Sequence, residues 1–124
     1  MGATSREAIL QAQDLEYEVV AVPEWGGELF VWRMPEKRRN DFDQWAVEVI
    51  ERKDYATFRA RLIADCAGDE VGKLLFSHDD IAALMEKSSA VVRRVADVAL
   101  RVNKMRSEDV EANVKNSAGD PGGD

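Results

Sequence analysis

The residues suited to chemistry are few: His78, Cys66, the acidic loop "CAGDEVGKLLFSH", the basic run in "EKRRND" and the glycine pair in "WGGE". His78 is the only histidine. It stands at the first helical position of "SHDD", a place of exposure and local interaction with Asp79 or Asp80, and no motif ties a nucleophile to it. Cys66, the only cysteine, falls on an apolar helical stripe and reads as a small hydrophobe. Alone it can build neither an intramolecular disulfide nor a thiolate metal cluster. If the acidic loop were an EF-hand with Gly72 as its turn glycine, its first and last ligand positions would be Ala67 and His78, so the required carboxylates are absent. "WGGE" lacks the lysine and hydroxyl of a phosphate-binding loop and precedes a strand pattern rather than a helix. Lys37, Arg38 and Arg39 fan out over about 200° of a helix at 100° per residue, which describes a solvated face or the rim of a protein contact. No enzymatic activity, cofactor or metal is expected.

What remains is interaction surface. The stretch "VPEWGGELFVWRM" holds two of the three tryptophans beside a glycine pair. Trp25 and Phe30 are read as candidate partner contacts, since tryptophan is enriched at binding hot spots and a loop tip is hard to bury. Trp32 is read as a core anchor against a helix. The second candidate surface is the stripe Val91, Val95, Val98 and Val102, continued by Met105, whose spacings of four and three residues mark one helix face.

The elements that must position these groups follow from periodicity. "YEVVAVPEW" and "ELFVWRM" are rich in β-branched and aromatic residues and flank Gly26-Gly27, which predicts a β-hairpin. A two-residue Gly-Gly loop would set Trp25 opposite Glu28 and Pro23 opposite Phe30, and proline would then make the first strand an edge; otherwise the turn begins at Pro23 with a longer loop. Phe30 and Trp32 share one face of the second strand and Leu29 and Val31 the other, so both faces need cover. A short Ser5-capped helix precedes the hairpin. Helices follow with Phe42, Trp45, Ala46, Val49 and Ile50 on one stripe, and with Tyr55, Phe58, Leu62, Ile63 and Cys66 on the next, closed by Gly68. Phe58 to Ile63 is alternatively a strand. Residues 69–76 form a turn or small hairpin, Ser77 with Asp80 forms a capping box, Ser88 or Ser89 caps the long valine helix, and "SEDVEANVK" closes as a short helix. The fold class is α+β: a mainly helical domain with an N-terminal β-hairpin, four to five helices and a disordered acidic C-terminal tail. Residues 1–116 form a single domain and 117–124 a flexible tail.

Among 124 residues, 17 basic against 24 acidic side chains give a net charge of −7, which argues against nucleic acid or an anionic membrane as partner. No apolar run is long enough for a signal peptide or membrane span, so a cytoplasmic setting is expected.

The order of these features resembles a family. "VPEWGGELFVWRM", a charged helix, "RARLIADCAGDEVGKLLFSHDDIAALMEKSSAVVRRVADVALRVN" and "SEDVEANVKN" together are similar to the tail assembly chaperones of long-tailed double-stranded DNA bacteriophages, over about residues 22–116. The family commonly continues the long helix into an Asn-Gly-Leu turn, where this chain has "VNKMRSED" with Lys104 in the glycine's place. The resemblance implies a non-enzymatic protein that coats the tape measure protein and recruits tail tube subunits to it in the host cytoplasm. It also implies absence from the finished virion and, in many members, a longer product made by ribosomal frameshifting. Self-association through the long helix is a further expectation. The alternative is a tail completion or head-tail adaptor protein retained in the particle.

Overall fold

Residues Tyr17–Val22 (β1) and Gly27–Trp32 (β2) form the antiparallel hairpin, in a computed structural model that describes residues 2–105. The "SEDVEANVK" helix and the 117–124 tail lie outside these residues. Alternation places Val20, Val22, Leu29 and Val31 on the buried face, and Tyr17, Val19, Phe30 and Trp32 on the other. The loop is the longer of the two expected. Pro23–Trp25 form a 3₁₀ turn, Gly26 adopts φ 96°, and Gly27 already belongs to β2 opposite Val22. Val19, and not Pro23, therefore faces Phe30, and Ala21 faces Glu28. Proline's fixed φ and missing N–H suit the turn and would cost a ladder bond in the strand.

A third strand, Ala67–Gly68 (β3), pairs with Val31 and Phe30, so the sheet order is β1-β2-β3 and β1 is an edge. Two residues carry no periodicity from which this strand could be read, and its bridge from Gly68 to Leu74 closes the turn expected over residues 69–76. Gly68 is required there: a Cβ would lie 2.8 Å from the Lys73 carbonyl oxygen and 3.2 Å from the Trp32 ring.

The helices are Arg6–Gln11 (α1), Glu36–Glu51 (α2), Tyr55–Cys66 (α3), Ile81–Leu84 (α4) and Ser89–Val102 (α5). The Phe58–Ile63 segment is thus helical. Ser5 caps α1 by accepting from Ala8 N–H, yet none of the residues of α1 is buried. Asp54 caps α3 by accepting from Thr57, and the Ser77/Asp80 capping box opens the 3₁₀ turn before α4. Ser88 is the N-cap residue of α5 but makes no side-chain cap bond.

One contiguous core joins the inner sheet face to Phe42, Phe58, Leu62, Ile63 and the apolar side of α5. Val91, Val95, Val98 and Val102 all belong to it, with Val95 wholly enclosed at 0% exposure. The stripe read as a partner surface is therefore filled by the protein's own α3 and hairpin. Valine at that spacing marks a face that must be covered and is silent on what covers it.

The basic run also has an internal use. Arg39 donates to the Asn103 carbonyl, and Arg33 to the Val102 carbonyl, at the C-terminus of α5; Arg38 donates to the Asp65 carbonyl at the end of α3. Cations there satisfy orphan carbonyls and complement the helix dipoles. Asn103, 3% exposed, accepts from Met34 N–H and donates to the Ala99 carbonyl and the Cys66 sulfur, tying β2, α5 and α3 together. Lys104 takes φ 60°, the left-handed position at which the resembling family commonly has glycine.

Candidate functional site

The inner face of the hairpin is buried on α5, which leaves the outer face to be accounted for. Tyr17 stands across from Trp32, their ring centroids 4.6 Å apart, and is 5.4 Å from Phe30. Val19 completes the patch opposite Phe30. Tyr17 and Val19 remain 47% and 46% exposed, whereas Phe30 and Trp32 are half-buried. Trp32 is held from the far side: its indole N–H donates to the Asp69 carbonyl at 2.8 Å, and Gly72 lies against its ring. It anchors the 69–73 turn rather than packing against a helix. Asp69 braces the same turn by accepting from the N–H groups of Val71 and Lys73, and these bonds hold its carboxyl below the usual range.

Of the candidate contacts, Phe30 lies on this face. Trp25, in the turn, is half-buried and packs against the core. The four valines of α5 are inside. Tyr17 and Val19 were not singled out from sequence, although "YEVVAV" alternates so that Tyr17, Val19 and Ala21 must share a side.

His78 does not interact locally with Asp79 or Asp80 as expected. Its Nε2 lies 2.8 Å from Oδ1 of Asp65 on α3, whose other oxygen accepts from Arg61 at 3.2 Å. Arg61 in turn stacks 4.6 Å over the Trp45 ring. The Asp65 side chain is 5% exposed and fully engaged, so this is a structural bracket between α3 and the α4 turn. Cys66 beside it is enclosed, and burial pushes its thiol up to about 12, far from the thiolate that nucleophilic chemistry needs. Among the described residues, no group of three or more His, Cys, Asp or Glu is placed to hold a metal ion, and no helix is long and apolar enough to cross a membrane.

Two bidentate pairs fasten the hairpin to α5: Arg94 on Glu24 at 2.9 and 2.7 Å, and Arg101 on Glu18 at 3.1 and 2.7 Å. The hydrogen bonds from Arg94 pull the Glu24 carboxyl down to about 2, and those from Arg101 lower Glu18. Asp54 is lowered too, by the Thr57 hydroxyl and then the Thr57 N–H. All these carboxyls sit lower when folded than unfolded, so their stabilisation is complete above the unfolded values, 3.8 for Asp and 4.5 for Glu, and is lost as pH falls through the folded ones. Urea midpoints should hold steady from neutral pH to about pH 5 and decline progressively toward pH 2; a midpoint that rises over that acid range would contradict the assignment.

Taken together, a three-stranded antiparallel sheet with one face on a long helix, flanked by two further helices, defines a small α+β fold whose outer aromatic face is only partly covered by the described residues. No protein-family model matches the chain, and no curated protein matches it by sequence. Among solved structures, the bacteriophage HK97 tail assembly chaperone shares this fold, with a TM-score of 0.55 and 20% identity over 77% of this chain and 90% of that one. The chain's fold is thus tail-assembly-chaperone-like.

Proposed function

We propose that this chain is a non-enzymatic phage tail assembly chaperone that binds the tape measure protein and recruits tail tube subunits to it. It would act in the host cytoplasm and be left out of the finished virion. The observation that carries the reading is the fold shared with the HK97 tail assembly chaperone, and the sequence pattern over residues 22–116 points the same way. The chemistry is compatible. A chaperone for a protein with long apolar helical stripes needs apolar surface to shield them and surplus charge of one sign to keep the assembly soluble. The outer hairpin face supplies the first and the net charge of −7 the second.

Co-expression is the test. Tape measure protein made with this chain should shift from the insoluble to the soluble fraction and co-purify with it, and mass spectrometry of purified virions should not find the chain in stoichiometric amounts. Unchanged solubility would refute the chaperone reading, and stoichiometric presence in virions would favour a tail completion or head-tail adaptor component.

A further inference from the structure

We infer that the outer face of the hairpin, built by Tyr17, Val19, Phe30 and Trp32, is the docking site for one amphipathic helix of the partner whose apolar stripe is bordered by basic residues. The inference rests on the tape measure reading above and names the surface and the chemistry that reading leaves open.

The apolar requirement comes from the layers. A sheet of this kind is stable when each apolar face is covered, and α5 covers only the inner one. Among the described residues α1 buries none of its own side chains, and Tyr17 and Val19 stay nearly half exposed. Aromatic and β-branched side chains in register on adjacent strands form a continuous patch rather than scattered exposure.

The size of the patch fits a helix. The patch lies on β1 and β2, about 4.8 Å apart, and its large side chains widen it toward the roughly 10 Å of one helix. Along β1, Tyr17 to Ala21 covers about 14 Å at 3.4 Å per residue, which a helix matches with about nine residues, or two and a half turns.

The charge requirement comes from the border. Glu28 shares the outer face with Phe30 and Trp32 and has no ion-pair partner among the described residues. Asp69 and Glu70 lie in the turn held by Trp32. Against these three carboxylates stands Lys73, while Arg33 and Glu16 pair with each other on the inner-face side. An incoming helix with lysine or arginine beside its apolar stripe meets complementary potential, and an acidic one is repelled.

The test is a binding titration of the full chain with the tape measure protein encoded by the same phage, over a series of salt concentrations. The double variant Tyr17→Ser/Val19→Ser should weaken binding roughly tenfold or more with the far-UV spectrum unchanged, since both side chains are exposed and neither lies in the core. Glu28→Lys should weaken binding most at low salt and flatten its salt dependence. Val47→Ser, which alters an equally exposed apolar residue on α2, should bind as the parent does. Parent-like binding by both the double variant and Glu28→Lys would overturn the inference while leaving the chaperone reading intact. So would selective protection of the outward-pointing Tyr17 and Val19 amides without loss in the variants, the mark of a strand pairing with the free edge of β1. Failure of the unsubstituted chain to bind at all would overturn both.

Discussion

Val95→Asp is expected to abolish the folded state at 25 °C, leaving a chain with a random-coil near-ultraviolet spectrum and no cooperative urea transition. Val95 is 0% exposed, midway along α5, inside the core formed with α3 and the inner hairpin face. Removing its isopropyl group forfeits on the order of 1.5–3 kcal/mol of burial. The carboxylate that replaces it must either ionise in an apolar site or hold a proton at neutral pH, and either course costs several kcal/mol more. The sum is comparable to the entire stability of a small domain, roughly 5–15 kcal/mol. A folded Val95→Asp chain that had lost only partner binding would mean that the stripe faces outward, and the core assignment would be wrong. Asp97, two residues on and exposed, already carries the same charged group without penalty, so side-chain direction decides the outcome and helix propensity does not.

The contrast between Val95 and Tyr17 explains how far the sequence could be read. Spacing located the elements well: the hairpin, the Ser77/Asp80 cap and the stripes of α2, α3 and α5 all stand where periodicity put them. Periodicity reports that a face is apolar. It does not report which element meets that face, because this depends on chain reversals between distant segments. The valines of α5 therefore read from sequence as a candidate outer surface, and on the outer hairpin face only Phe30 reads as a contact. Trp32 shows the same limit, since its anchor is the backbone carbonyl of Asp69, 37 positions away, and a carbonyl carries no residue-specific trace in sequence. The hairpin turn was narrowed to two geometries, and Pro23 decided between them through its fixed φ and missing donor.

Arg61→Met is the second substitution with a large expected effect, because it removes a charge from a pair whose other member cannot reach water. The Asp65 side chain is 5% exposed, and Arg61, at 13%, is nearly as enclosed. Without Arg61, one Asp65 oxygen loses its donor and His78 becomes the remaining side-chain partner. Breaking a buried pair from one side costs about 3–5 kcal/mol, chiefly the penalty of the stranded charge. Loss of the guanidinium stacked on Trp45 adds to it. A urea denaturation series should show this as a large drop in midpoint at constant slope. The double variant Arg61→Met/Asp65→Leu should recover most of the loss, since no charge is then stranded and two apolar side chains fill the space. His78→Ala alone should cost little, because that side chain is about half exposed and leaves Arg61 in place. If Arg61→Met costs less than about 1 kcal/mol, the pair behaves as a solvated surface contact, and its burial does not set the stability of α3.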